Sequence, residues 1–328
     1  SSFDMKFSPA KGGFNFTTPH AFEYGSVGQS GAEMVIPLPV KGKSGVMAIE
    51  EKSALMVDCD GDGKTETKIP VGAKGGIATA RIVYDDDTTS NYTMRIFKGD
   101  EKRGGGWMFQ RSCTMAGKVS GATLSLVDDN NNGSYDDYGV DGIVIAPSTY
   151  AIPMGKVVSL GGKLYNFEAI ESGMKTKVKL FEGETGTVDM ASGFKCPAKL
   201  VVAVIQCGQN FFDVSAGPVV VPVGTYTFYW GIISNGKQSA WMQRGSMPEM
   251  EVKAGETAKV NWGMPLKFEF DNKMPGAGQL KVAPGDFKIF GAAGEEYMNF
   301  ETKRIFPQVE VRGKNGNMVG KGATGEAC

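Results

Sequence analysis

The sequence predicts an all-β protein of two or three antiparallel β-sandwich domains, and three observations lead there. Apolar and polar residues alternate over short runs, which is the pattern of a strand with one face buried. Turn-forming residues punctuate the gaps, with 46 Gly and 15 Pro in 328 residues and no collagen-like period. Helical spacing is scarce: the i, i+3, i+4 template fits Val46 to Met56 for a turn or two, and no longer capped match occurs.

Taken in order, the alternating runs are Ala122 to Val127, Gly142 to Ile145, Thr176 to Phe181, Tyr226 to Trp230, Met250 to Lys253, Ala258 to Trp262 and Leu266 to Phe270. Each reads as a half-buried antiparallel strand. Between them stand Asn132-Gly133, Asn235-Gly236, Ala254-Gly255 and Asn315-Gly316, which supply the positive φ angles of tight turns. Composition changes near Ala191-Ser192-Gly193 and again near Gly263-Met264-Pro265, so domains are expected at 1–192, 193–265 and 266–328. The last piece is small for independent stability, so it either packs on its neighbour or completes the preceding sandwich.

Charge and composition narrow the function classes. With 35 basic and 36 acidic residues and a net charge of −1, the chain carries no broad positive field for nucleic acid. No apolar run approaches the ~18 residues of a membrane-spanning helix. His20 is the single histidine, which argues against a Ser-His-Asp triad or a multi-histidine metal site. The expectation is therefore a protein that is not an enzyme. The chain opens at Ser1, as after removal of a secretory leader or simple trimming. Five cysteines permit at most two internal disulfides; Cys196 and Cys207 are either a local bridge or reduced thiols, and Cys328 either is free or joins a neighbouring subunit.

Two acidic loops following apolar runs carry the chemistry. The first holds Asp58, Asp60, Asp62, Gly63, Lys64 and Glu66; the second holds Asp128, Asn130, Asn132, Gly133, Ser134 and Asp136, with Asp137 and Asp141 beyond. Both place oxygen side chains at loop positions 1, 3 and 5, Gly at 6 and a carboxylate at 9, which is the pattern of a Ca²⁺ loop. Ca²⁺ takes six to eight oxygens, so alternate side chains must turn toward one point, and the residue after the Gly, Lys64 or Ser134, offers its carbonyl. Position 12, a bidentate Glu in an EF-hand, is Ile69 in one and Gly139 in the other. The closing carboxylate must come from elsewhere, with Asp137 and Asp141 the candidates in the second loop. The alternative for both is an Asx-rich turn without an ion. Cys59, between two ligands, is expected to point away from the ion. Asp58 and Asp128 lie 70 residues apart, which suggests a diverged internal repeat.

Other motifs are weaker. Asp85-Asp86-Asp87 reads as a solvated turn, or as a donor of ligands to a neighbouring loop. Gly104-Gly105-Gly106 lacks the Lys-Ser/Thr of a phosphate loop. Of the four tryptophans, Trp230 and Trp262 sit in alternating runs and read as core, and Trp241 is the best candidate for an exposed sugar-stacking ring.

Two resemblances follow from these residues. Val221-Pro-Val-Gly224-Thr225-Tyr226, with Met250-Glu-Val-Lys-Ala-Gly255-Glu256 after it, resembles strands of transthyretin-like and carboxypeptidase-regulatory-like modules, which implies an Ig-like sandwich over 218–262 without catalytic residues. Leu124 to Ile145 resembles calcium-type loops of uncharacterised secreted bacterial proteins, planctomycete-like ones among them, which implies an extracellular or cell-surface location. The leading expectation is a secreted, Ca²⁺-stabilised structural subunit of a homo-oligomer or polymer: a filament, sheath or surface layer. A carbohydrate-binding or adhesive module with a glycan partner is the second reading. A glycoside hydrolase using Asp136, Asp137 and Asp141 is the third.

Overall fold

The computed structural model describes residues 1–10, 24–30, 33–72, 74–99, 105–236, 238–270, 273–276, 279–281, 287–301 and 308–323. His20, Gly104 and Cys328 lie outside the described residues. Every regular element among them is a β-strand. The chain divides into two compact units, one of 1–184 with 206–212 and one of 185–205 with 213–328.

The first unit is built from four small antiparallel sheets. Two are meanders of the same plan. In one, Val46–Glu51 turns into Ala54–Val57, and an acidic loop leads to Thr67–Pro70. In the other, Cys113–Val119 turns into Ala122–Val127, and an acidic loop leads to Gly142–Ile145. The segment Val46 to Met56, whose spacing fits a helix for a turn or two, is thus a hairpin. Val46, Ala48, Leu55 and Val57 are buried in it, and pairing with Glu33–Ile36 and Thr67–Pro70 outweighs a local preference of that length.

The third sheet joins Gly76–Val83, Thr89–Lys98, Trp107–Arg111 and Gly25–Ser26. Its inward positions show the strand period directly: Ala78, Ala80 and Ile82 on one strand, Tyr92, Met94 and Ile96 on the next, Trp107, Phe109 and Arg111 on the third. The fourth joins Ser2–Asp4, Lys175–Leu180, Lys163–Ile170 and Val157–Leu160. The buried faces of all four contribute to a single apolar cluster, against which Cys59 and Tyr138 also pack.

In the second unit the main sheet orders Gly224–Ser234, Ser239–Gln243, Glu296–Glu301, Phe287–Phe290 and Lys267–Phe270. One sheet therefore crosses the boundary expected after residue 265. Pairing is not wholly antiparallel: Thr185–Asp189 runs parallel to Thr257–Lys259, and Phe194–Lys195 runs parallel to Trp262–Gly263. The expected single strand Ala258 to Trp262 is broken into these two pieces, which pair with different partners. Trp262 is fully buried, donates Nε1–H to the Met190 carbonyl at 2.8 Å and packs against the rings of Phe194 and Phe228. Tyr226 is buried too, and its hydroxyl donates to the Pro222 carbonyl at 2.9 Å. Cys59, Cys113, Cys196 and Cys207 are free thiols, so no Cys196–Cys207 bridge forms.

Candidate metal centre

The first acidic loop joins the paired strands Ala54–Val57 and Thr67–Pro70. Asp58, directly after the buried Val57, is itself only 3% exposed and organises the turn. Its Oδ1 accepts the Gly61 amide at 2.7 Å and its Oδ2 the Gly63 amide at 3.0 Å. Gly63 sits at φ +91°, a conformation that side chains rarely adopt. Asp60 Oδ1 accepts the Asp62 amide at 3.1 Å, Asp62 Oδ1 accepts the Lys64 amide at 2.7 Å, and Glu66 Oε1 accepts the Cys59 amide at 2.9 Å. These short-range bonds curl the loop about its own side chains.

The result is a convergence of four carboxylates. One oxygen each from Asp58, Asp60, Asp62 and Glu66 lie within 4.8 Å of one another, so the cluster could hold a metal ion. Two opposed oxygens around Ca²⁺ stand about 4.6–5.2 Å apart, twice the usual Ca–O distance, and the cluster fits within that span. Lys64 contributes a counter-charge, with Nζ 3.2 Å from Asp62 Oδ2, and Lys43 Nζ donates to the Gly61 carbonyl at 2.9 Å. Lys64 is 85% exposed, so its charge is largely spent on solvent. Cys59 turns from the cluster toward the core, where burial raises its thiol pKa.

The second loop has the same skeleton and a different filling. Asp128 is fully buried; its Oδ1 accepts the Asn132 amide at 3.1 Å and its Oδ2 the Gly133 amide at 2.8 Å. Asn130 Oδ1 accepts the Asn132 amide at 3.2 Å, and Asn132 Oδ1 accepts the Ser134 amide at 2.8 Å, as Asp60 and Asp62 do in the first loop. Their side-chain NH₂ groups stand where the first loop has second carboxylate oxygens. Both donate to Asp137 Oδ2, at 2.8 Å from Asn130 and 2.6 Å from Asn132. Asp137 thus joins Asn130 and Asn132 at the centre of the second loop.

Asp141, expected as a closing ligand, is buried and caps backbone: Oδ1 accepts the Asp129 amide at 3.1 Å and Oδ2 the Asp137 amide at 2.9 Å. Burial, with the Asp128 charge second, pushes its pKa up to about 9. Burial likewise raises Asp128 to about 6, with the Tyr92 hydroxyl the largest opposing influence. Asp136 accepts a hydrogen bond from the Ser134 hydroxyl. The three carboxylates also considered as a hydrolytic set are each engaged by donors of their own loop.

Behind this loop lies a polar network that sequence reasoning passed over. The Tyr92 hydroxyl donates to Asp128 Oδ2 at 2.7 Å, and the Tyr84 hydroxyl donates to the Gly133 carbonyl at 2.6 Å. Gly133 leaves no room for a side chain: it sits at φ +85°, and a Cβ there would lie 2.5 Å from Pro39 Cδ. Arg111 is buried in an ion pair with Asp129 and donates its backbone amide to Asn131 Oδ1 at 2.8 Å. Cys113 Sγ and the Tyr135 hydroxyl share a hydrogen bond of 3.1 Å. The signal for Arg111 was its place two residues after Phe109 on the inward face.

Asp85-Asp86-Asp87 forms a tight turn between Gly76–Val83 and Thr89–Lys98. Asp86 Oδ1 accepts the Thr88 amide at 3.0 Å, and Asp87, at φ +66°, pairs with Lys41 at 2.6 Å. Trp107, Trp230 and Trp262 are buried, and Trp241 stacks on Trp230 with centroids 5.2 Å apart. No family model, curated protein or solved structure matches the chain.

Proposed function

We propose that this chain is a calcium-stabilised extracellular structural protein, a subunit of a filament, sheath or surface layer, with the first acidic loop as its ion site. The observation that carries the reading is the convergence of Asp58, Asp60, Asp62 and Glu66 within 4.8 Å with little cationic compensation. Four like charges so close are mutually repulsive, and a divalent cation turns that repulsion into attraction. The all-oxygen donor set belongs to a hard cation, and a loop that offers four carboxylates suits Ca²⁺, which takes six to eight oxygens in flexible geometry, better than Mg²⁺, which keeps several waters. Millimolar calcium outside cells fills sites with Kd of about 10⁻⁴–10⁻³ M, so a site of this modest kind works in an extracellular setting. The second loop is the weaker candidate, because its Asn130 and Asn132 amides already bond Asp137. The Tyr226–Pro222 bond is the corner contact of Ig-like sandwiches and supports that assignment for the strands around it. A sugar-stacking platform has less support, because Trp241, half-buried, is stacked on Trp230.

Sedimentation of the purified chain with electron microscopy, in millimolar calcium and in chelator, tests the reading. Regular particles that dissolve on chelation are the expected result. A monomer in both conditions, with an unchanged unfolding midpoint, overturns it.

A further inference from the structure

The strand Lys267–Phe270 ends the main sheet of the second unit. It pairs with Phe287–Phe290 on one side, and no described strand pairs with it on the other. Lys267, Phe268 and Glu269 are all exposed, so both faces of the strand meet solvent at this edge. Phe268 is 62% exposed and is the one phenylalanine among the exposed large apolar side chains of the described residues; Leu266 and Met264 extend the apolar surface. Lys267 and Glu269 share the opposite face, where they form an ion pair.

An open edge offers a row of unpaired backbone groups to another strand. Which strand fits is decided by the order Lys-Phe-Glu. Set antiparallel against itself about a two-fold axis at Phe268, this strand places Lys267 opposite the partner's Glu269 and Glu269 opposite the partner's Lys267. Phe268 meets the partner's Phe268 on the other face. A slip of two residues in one direction sets Lys267 against the partner's Lys267, and in the other sets Glu269 against the partner's Glu269. A slip of one residue sets Phe268 against a charge and turns the faces over. The lysine that would repel an unrelated strand thus selects this one, in one register. Pro265 has no amide to donate, which closes the ladder on that side.

We propose that this edge is the contact through which two copies of the chain join, strand to strand, with Phe268 on the two-fold axis and two reciprocal Lys267–Glu269 ion pairs. The proposal rests on the assembly part of the function proposed above and locates one of its interfaces.

Sedimentation velocity of the full chain over a concentration series, in calcium and in chelator, tests it with charge variants. Lys267→Glu or Glu269→Lys sets like charges opposite each other twice. At about 1 kcal/mol per reversed cross-strand pair and 1.4 kcal/mol per tenfold, each variant weakens dimerisation about 30-fold. The double variant Lys267→Glu/Glu269→Lys restores opposite charges and returns association to the wild-type level. Because these side chains are exposed, all variants keep the wild-type unfolding midpoint at protein concentrations low enough for every one of them to be monomeric, which separates lost association from lost folding. A wild-type chain that stays monomeric in both conditions, single variants that associate like wild type, or a double variant that fails to recover overturns the proposal. The calcium response of the wild-type midpoint reports separately on the ion site, so either idea can fail alone.

Discussion

The clearest test of the first acidic loop is to remove one of its charges and leave its shape. In Asp60→Asn the amide oxygen still accepts from Asp62 N–H, but three carboxylate repulsions disappear, those with Asp58, Asp62 and Glu66. At the 4.8 Å limit of the cluster, each is worth about 0.9 kcal/mol in water, and physiological salt cuts that roughly in half. The sum is about 1.5 kcal/mol of added stability in chelator, or about 3–6 °C in the midpoint of a unit of this size. Calcium closes the gap. At a tenfold excess over Kd the ion stabilises the wild-type chain by about 1.4 kcal/mol, and the variant, short of one charged ligand, forgoes most of that gain. The two proteins are therefore expected to differ in chelator and converge in millimolar calcium. Thermal unfolding followed by fluorescence at a series of calcium concentrations reads both effects. A wild-type midpoint indifferent to calcium, or a variant no more stable than wild type in chelator, would refute the reasoning.

Three further outcomes follow from the buried contacts. Tyr92→Phe removes the hydroxyl that donates to the buried Asp128 carboxylate, and urea unfolding should show a loss of about 1–3 kcal/mol; an unchanged midpoint would mean that Gly133 and Asn132 suffice. Trp262→Ala empties a site between Phe194 and Phe228 and leaves the Met190 carbonyl without its donor, at a cost of about 3–5 kcal/mol measured in the same way. Glu295 is fully buried among the amides of Gly263 and Ala293 and the Tyr297 hydroxyl, and burial raises its pKa above the usual 4.5. A raised folded pKa means that the protonated acid is favoured in the fold. Its contribution is full below pH 4.5 and is lost as pH rises through the folded value. Wild type should therefore lose stability relative to Glu295→Gln as pH increases over that window, and parallel pH profiles of the two proteins would contradict the assignment.

The β class was legible because alternation is a local property. Ala122–Val127 and Gly142–Ile145 fall where the pattern puts them, and Gly236, Gly255 and Gly316 take the positive φ that the turn signals require. The acidic loops were legible for the same reason, since oxygen side chains at alternate positions bond to amides two to five residues away. Partner choice was not legible. Whether Thr257–Lys259 pairs parallel or antiparallel, and that Trp262 leaves it for Phe194–Lys195, depends on where distant strands are delivered. Spacing also made the two loops look equivalent. The structure separates them, because Asp137 takes up the side-chain amides of the second, while among the described residues the first has the exposed Lys64 and Lys43 as its cationic partners. The same holds for Tyr92, Arg111 and Asp129, whose side chains meet only once strands far apart in the chain are packed. Sequence alone determined the strand period, the turns and the two oxygen-rich loops, since each rests on bonds or spacings within a few residues. Tertiary structure alone decided strand pairing and the buried partners of Asp128 and Asp129, since both depend on groups that long-range packing brings together.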